Sequence, residues 1–252
     1  MAKLAEARAK IEARAKERYA RELAAHEAKR AAREAKIAAT GRKPGGKPPQ
    51  PPAEGPRPDD QINLTDEESR IMPVAGGGFE QCYNAQAAVA AGSLLVVAVD
   101  VVAAPNDKQQ LEPMLGKIDA LPEAFGKAET LLADTGYFSA VNVEACTTAG
   151  IEPLIAMGRQ AHHPPLQERF APVPPAPENP MPVAAMAHRL KTPEGRALYA
   201  LRKQTPEPVF GIIKSVLGFR QFSLRGLEKV RGEWNLVTMA WNIKRMFVLN
   251  PA

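Results

Sequence analysis

The chain has 252 residues and a mass of 27.2 kDa, enough for one substantial hydrophobic core and a smaller appendage. Apolar residues make up 45% and charged residues 24%, which excludes wholesale disorder, and two cysteines exclude a disulfide scaffold. No apolar stretch approaches the ~18 residues that span a bilayer, and the N-terminus lacks the apolar region of a secretory signal. A cytoplasmic protein without a membrane span is therefore expected.

The net charge of +5 conceals an uneven distribution of charge along the chain. Residues 1–58 hold fifteen Lys or Arg against seven Asp or Glu, residues 59–188 hold six against seventeen, and residues 189–252 hold twelve against four. An acidic middle between basic ends suits a protein that holds divalent metal ions and grips a polyanion beside them. An accidental distribution of solvated charges is the alternative at this point.

The N-terminal part of the chain divides into a helix and a linker. Residues 1–41 are dominated by Ala, Glu, Lys and Arg and contain no proline, which predicts a long, exposed, basic helix. Its large apolar residues keep no heptad, so a solvated helix is favoured over a coiled coil. Residues 42–58 contain seven prolines and three glycines, a composition that predicts an extended linker. The folded catalytic-size domain is expected over residues 59–252.

Strands and helices alternate in the predicted domain. Three strands come first and form a predicted meander, at 61–65, 83–89 and 94–102. A helix capped by Asn106 or Asp107 follows to about Ala120. The remaining elements are a strand over 130–133, a helix from about Ser139 and a strand over 153–157.

The region near residues 160–185 is predicted to be a Pro-rich insertion, because eight prolines lie between 164 and 182. A last helical region follows it. The pair His162 and His163 invites a zinc interpretation, but the chain has no second pair at ligand spacing. A loop role is therefore favoured for the two histidines.

Two aspartates stand at the ends of predicted strands. Asp66 follows the first strand and Asp134 the fourth, and the order β-β-β-α-β-α is typical of the ribonuclease H-like fold. The sequence therefore predicts an α/β protein with an RNase H-like mixed sheet flanked by helices, in which Asp66 and Asp134 meet at one sheet edge. A carboxylate from a later helix would complete a site for two Mg²⁺ ions, which bind hard oxygen ligands. Because surface carboxylates often follow strands, spacing alone does not establish this site.

Several separated motifs resemble those of bacterial insertion-sequence transposases of the DDE type. In chain order they are Asn63-Leu-Thr-Asp66-Glu-Glu-Ser-Arg-Ile-Met72, Gly76-Gly-Gly-Phe-Glu-Gln, Tyr83-Asn-Ala-Gln86, Asn106-Asp-Lys-Gln-Gln-Leu111 and Leu132-Ala-Asp134-Thr-Gly-Tyr137. The most diagnostic block runs from Tyr199 to Lys214 and looks like the Tyr-Arg-Glu-Lys signature of that family. The resemblance covers residues 59–249 and implies the C-terminal catalytic part of a transposase, in a truncated form.

The resemblance implies a role for each matching residue. Asp66, Asp134 and Glu207 would be the catalytic residues and would hold two Mg²⁺ or Mn²⁺ ions. Residues expected to bind DNA are Tyr199, Arg202 and Lys214 by resemblance, and Arg220 and Arg225 as cations of the basic C-terminal segment. The implied activity is metal-dependent cleavage of DNA at insertion-sequence ends and strand transfer to target DNA. A homo-oligomer associated with the nucleoid would perform it.

Two departures from the family pattern keep other functions open. Pro206 stands where relatives usually have valine; inside a helix it would break the hydrogen-bond ladder, whereas at the first helical position it would be harmless. No helix-turn-helix pattern precedes Gln61. A catalytically inactive DNA-binding remnant that regulates or inhibits transposition is the alternative function. An interaction protein built around the N-terminal helix is a third.

Overall fold

The computed structural model describes residues 2–74, 76–158 and 172–250, and the chain divides into two compact units, Met1–Glu67 and Glu68–Ala252. The histidine pair and much of the predicted Pro-rich insertion fall within 159–171, outside the described residues. No helix in the described part of the chain combines the length and apolar character needed to cross a bilayer.

The first unit consists of one long helix and an extended segment. The predicted helix is present as α1, Ala2–Thr40. Its buried side chains include Ala7 and Ala15, whose small size lets another segment approach the helix closely. The rest of the unit has no regular secondary structure.

The extended segment 42–60, here called the strap, runs back along α1. Side chains of both segments hold it there, through the pairs Arg33 with Pro44, His26 with Pro49, Glu22 with Arg57, and Arg18 with Gly55 and Asp60. The segment has the extended conformation that its prolines predict, but it is docked on the helix by polar contacts. A free linker would make no such series of contacts.

Asp60 is the most strongly perturbed carboxyl group of the strap. Arg18 donates two hydrogen bonds to it, and the Arg57 amide donates another at 2.7 Å. These contacts lower the pKa of Asp60 to about 2, with the Arg18 hydrogen bond as the largest cause. Because the folded pKa lies below the ordinary value, the contact stabilises the strap above about pH 4 and is lost as the pH falls toward 2.

We expect Arg18→Ala to raise the pKa of Asp60 toward its ordinary value of 3.8, because the substitution removes the main partner of the carboxylate. The amide proton of Arg57, which contacts Asp60, reports the titration in NMR spectra recorded against pH. Arg30→Ala is the matched control, since Arg30 pairs with Glu34 within α1. An unchanged midpoint in Arg18→Ala would contradict the assignment.

The predicted strand at 61–65 is wrong. The side-chain Oδ1 of Asn63 accepts hydrogen bonds from the amides of Thr65, at 2.8 Å, and Asp66, at 3.4 Å. An asparagine that bonds the backbone two residues ahead forms a turn and competes with strand pairing. Asp66 therefore follows a turn, and the first strand begins later, at Arg70.

The described part of the second unit contains three two-stranded sheets. Their strands are β1 (Arg70–Pro73) with β2 (Phe79–Cys82), β3 (Asn84–Val89) with β4 (Val96–Val102), and β5 (Thr130–Ala133) with β6 (Glu152–Ile155). The first two pairs are antiparallel and the third is parallel.

The mixed α/β character agrees with the prediction, but the described strands do not join into one RNase H-like sheet or into a three-strand meander. Two prolines limit the growth of the sheets. Pro73 in β1 and Pro153 in β6 lack an amide donor, and a proline confines its strand to the edge of a sheet.

Six helices of eight or more residues lie in the described part of the second unit: α2 (Leu111–Asp119), α3 (Ala140–Thr148), α4 (Pro182–Arg189), α5 (Pro193–Ala200), α6 (Pro206–Ser215) and α7 (Leu227–Leu249). Three short 3-10 helices accompany them, at Glu123–Phe125, Thr135–Tyr137 and Leu201–Gln204. Proline stands first in α4, α5 and α6, where a missing amide donor costs nothing.

Two hydrophobic clusters hold these elements together. The first packs α6 and α7 against β3 and β4, around Val101, Val209 and Trp234. The second packs α2, α3 and α4 against β6, around Val143 and Ile155. The indole nitrogens of both tryptophans donate to backbone oxygens, as buried indoles usually do.

Candidate functional site

Asp134 lies where β5 ends, as the sequence predicts for this strand. Its carboxylate Oδ1 accepts a hydrogen bond from the Gly136 amide at 2.8 Å and so caps the 3-10 helix Thr135–Tyr137. The residue is exposed. The loop that begins here therefore presents a carboxylate at the carboxyl end of a parallel strand.

A second carboxylate, Asp107, approaches Asp134 at Gly136. A Cβ atom added to Gly136 would lie 3.0 Å from Asp134 Oδ1 and 3.1 Å from Asp107 Oδ2. A side chain at this position would be in tight contact with both carboxylates, which would have to move by a few tenths of an ångström to admit it. The sequence predicts Asn106 or Asp107 as the cap of a helix, but α2 begins at Leu111, four residues after Asp107. The Asp107 side chain instead accepts hydrogen bonds from residues of β3.

Asp107 is held by two amide side chains of β3. Asn84 Nδ2 and Gln86 Nε2 donate to the same oxygen, Asp107 Oδ1, at 2.7 and 2.8 Å. With Oδ1 bound in this way, Oδ2 is the oxygen that lies beside Gly136. The polar residues of the motif from Tyr83 to Gln86 thus orient a carboxylate that sequence reasoning did not assign to the site.

Tyr137 connects the same network to the loop after Asp134. Its hydroxyl donates to Oε1 of Gln86, a residue that is almost fully buried. Burial raises the pKa of Tyr137 above its ordinary value, and the charges of Asp107 and Asp134 raise it further. The hydroxyl therefore remains a donor throughout the working range of pH, and it anchors the loop to β3.

Tyr199, Arg202 and Glu207 form a second group close to the end of β5. The Tyr199 hydroxyl donates to the Ala133 carbonyl at 3.3 Å, next to Asp134 in the chain. The Arg202 guanidinium lies 5.8 Å from the centre of the Tyr199 ring, and its Nη1 is 3.4 Å from Glu207 Oε1. Three of the four signature residues are thus brought together.

Electrostatic effects follow from this arrangement. Burial raises the pKa of Tyr199, Arg202 opposes the rise, and Asp134 adds to it. The Arg202 Nε atom is buried and has no hydrogen-bond partner among the described residues. An anion that reached this nitrogen would satisfy a donor that is otherwise costly to bury.

Pro206 is the first residue of α6. Of the two positions that the sequence leaves open for this proline, it therefore takes the one in which it does not break a helix. The preceding 3-10 helix ends at Gln204, and the buried Thr205 hydroxyl donates back to the Leu201 carbonyl at 2.7 Å. Glu207 therefore stands in the first turn, with its side chain 57% exposed.

The remaining predicted DNA-binding residues are exposed cations. Lys214 lies in the last turn of α6, and Arg220 and Arg225 lie between α6 and α7. None of the three makes an ion pair with another described residue. Their positive charge is therefore available to an external anion.

The described residues do not supply a complete metal-ligand set. Asp134 and Asp107 have the hard oxygen donors that Mg²⁺ prefers, but no group of three or more His, Cys, Asp or Glu in the described ranges is arranged to hold an ion. Glu207 is instead paired with Arg202, and Asp66 belongs to the first unit. The meeting of Asp66 with Asp134 stays a prediction.

Tyr137→Phe should lower the free energy of unfolding of the second unit by about 1–3 kcal/mol, the cost of leaving a buried acceptor such as Gln86 Oε1 unpaired. Fluorescence of Trp234 and Trp241 during denaturation measures this, since both tryptophans lie in that unit. Thr147→Val removes an exposed hydroxyl of α3 and serves as the control, with a change of about 0.5 kcal/mol or less. Equal stability of Tyr137→Phe and wild type would contradict the hydrogen bond.

Pro206→Val should change the free energy of unfolding by about 1 kcal/mol or less, because a first helical residue needs no intrahelical bond. Gly211→Pro places a proline inside the same helix without removing a side chain, and should cost about 3 kcal/mol or more. Denaturation curves compare the two. A large loss of stability from Pro206→Val would show that α6 does not begin at this residue.

The C-terminal part of the chain is similar to a known protein family. Residues 177–247 match the family model described as "Transposase DDE domain". No curated protein and no solved structure matches the chain. The matched range extends over most of the segment from α4 to α7 and includes Tyr199, Arg202, Glu207 and Lys214, so this part of the chain is similar to a DDE transposase domain.

Proposed function

We propose that the chain is the catalytic part of an insertion-sequence DDE transposase, which cleaves DNA at the element ends and transfers the freed strand to target DNA. The observation that carries the proposal is the transposase match over 177–247, within which Arg202 contacts both Tyr199 and Glu207 close to the end of β5. The proposal includes Mg²⁺ or Mn²⁺ as cofactor and a homo-oligomer acting on nucleoid DNA.

The proposed catalytic residues are Asp66, Asp134 and Glu207. In the proposed reaction, water attacks phosphorus at the element end and displaces the 3′-oxygen of the element strand, which leaves as a hydroxyl. That 3′-hydroxyl then attacks a phosphorus of the target and displaces the 3′-oxygen of the target strand, and no covalent enzyme intermediate forms. Asp134 suits a role beside the reacting phosphate because it is exposed at a strand end and follows Ala133, whose carbonyl accepts from Tyr199. Among the described residues, the carboxylates do not form a complete ligand set for the ions.

The proposed DNA contacts use exposed cations and the signature arginine. Lys214, Arg220 and Arg225 have no carboxylate partner among the described residues. Arg202 offers a buried Nε that has no described partner, and its guanidinium plane suits phosphate geometry. A phosphate bound at Arg202 would compete with Glu207 for the guanidinium and so free the carboxylate.

The second candidate function is a catalytically inactive DNA-binding remnant that regulates or inhibits a full transposase. The ion pair between Arg202 and Glu207, at 3.4 Å, favours it, because a carboxylate paired with a cation is a weaker ligand for a metal. Both candidates bind DNA, so only cleavage distinguishes them.

Nicking of supercoiled DNA in the presence of Mn²⁺ tests the proposal. We expect Asp134→Asn and Glu207→Gln to abolish nicking while DNA binding is retained, because an amide keeps the shape but loses the negative charge. Asp119→Asn, at the exposed end of α2, is the matched control and should nick like wild type. Nicking by Asp134→Asn at the wild-type rate would refute the assignment, and a wild type without nicking would favour the remnant.

DNA affinity should fall with rising salt, with a slope that reflects the number of phosphates neutralised by the protein. Replacing both Lys214 and Arg220 by alanine should reduce the slope of log K against log salt by about 2, because each neutralised phosphate contributes about 1. Arg189→Ala is the control, because Arg189 is already paired with Glu152 at 2.9 Å. Equal slopes for the double variant and wild type would exclude these two cations from the DNA interface.

A further inference from the structure

Helix α7 is apolar on two opposite faces. One face is buried in the core and carries Val230, Trp234, Thr238 and Trp241. The other carries Leu236, Met239, Ile243 and Met246, which are 49–62% exposed. At about 100° per residue the two sets lie on opposite sides of the helix. A helix that is apolar on both sides is normally covered on both sides.

The exposed residues form a continuous stripe, here called the α7 stripe, which consists of Leu236, Met239, Ile243, Met246 and the adjacent Phe247. Their exposed fractions correspond to roughly 600 Å² of apolar surface, the upper limit for patches on an ordinary monomer. None of the described residues covers this surface. Two such stripes in contact would bury about 1,200 Å², the lower limit of a specific protein interface.

We propose that the α7 stripe is a self-association surface, on which α7 of a second copy of this chain docks. Leu236, Met239, Ile243 and Met246 are three, four and three residues apart, which is the spacing of a coiled-coil seam. Such a seam accepts a helix with the same spacing. Among the described helices, α7 is the one that presents this spacing with exposed side chains.

The charge of the surface also fits a second copy. Two identical surfaces meet without repulsion only where they carry no net charge, and the residues of the stripe are all uncharged. Between Leu236 and Phe247 the charged residues are Lys244 and Arg245, and Arg245 donates to the Ser93 carbonyl on the core side. An anionic polymer such as DNA would find no cation within the stripe. A two-fold axis would cover both stripes at once.

This inference deepens the proposed function, which includes a homo-oligomer, by naming the surface through which the copies associate. Self-association through that surface needs neither an intact carboxylate set nor DNA. The experiment that tests it accordingly contains neither metal nor DNA. Failure of strand cleavage would leave the surface unaffected. Failure of self-association would remove the homo-oligomer from the proposed function but would leave the proposed catalytic residues untouched.

Sedimentation velocity of the full chain, from about 1 to about 100 µM, measures the association, since interfaces near the lower size limit are often of micromolar strength. We expect wild type to form a dimer as concentration rises. Met239→Glu combined with Ile243→Glu should weaken the association by at least about 100-fold, because each dimer would bury four carboxylates. Phe125→Glu changes an apolar residue outside α7 that is 75% exposed, more than Met239 or Ile243, and should leave the dimer intact.

Salt and folding controls make each outcome decisive. Dimerisation through an apolar surface should persist at about 1 M salt, whereas bridging by a bound polyanion would be screened. Circular dichroism and tryptophan fluorescence establish that the double variant is folded, and Met246→Lys near the helix end is the replacement if it is not. A wild type that stays monomeric, a folded variant that still dimerises, or a dimer that dissociates at high salt would each overturn the proposal.

Discussion

The buried side chain of Gln86 is the point at which the two hydrophobic clusters and the candidate site are joined. The backbone oxygen of Gln86 accepts a hydrogen bond from Trp234 in α7. The side-chain Nε2 of Gln86 donates to Asp107, and the side-chain Oε1 accepts from Tyr137. The three partners lie in α7, in the loop before α2 and in the 3-10 helix after β5. Since a buried amide must satisfy both its donor and its acceptor, the position of the loop after β5 is fixed relative to β3 and α7. The place of the Asp134 carboxylate is set by that loop.

A second constraint comes from the start of α6. Proline at the first helical position ends the preceding 3-10 helix and sets the direction in which Glu207 leaves the backbone. Arg202 lies in that 3-10 helix, and its guanidinium reaches forward to Glu207 and back to the Tyr199 ring. The signature residues therefore meet because a short 3-10 helix brings the end of α5 close to the first turn of α6.

Sequence reasoning succeeded where structure is decided locally. The strand over 130–133, its terminal Asp134 and the helix capped by Ser139 follow from apolar runs bounded by capping residues, and all three are present. The strand at 61–65 failed because the Asn63 side chain bonds nearby amides, an alternative that alternation of apolar residues does not reveal. Asp107 was missed because its partners, Asn84 and Gln86, lie more than twenty residues away in the chain. A Gly between two carboxylates carries no sequence signal of its own.

The two basic ends of the chain carry the same net charge, and at each end some cations have partners and others do not. In the N-terminal unit, Arg18, Arg33 and Arg57 bind oxygens of the strap or of α1, so their guanidinium groups already have partners. In the C-terminal segment, Lys214 and Arg225 are exposed and make no ion pair with the described residues. A cation that already neutralises a carboxylate gains less from a phosphate than one surrounded by water. Both ends nevertheless keep cations without an ion pair among the described residues, such as Lys16 and Lys29 in α1. What distinguishes Lys214 and Arg225 is therefore their position, in the segment that holds the signature residues.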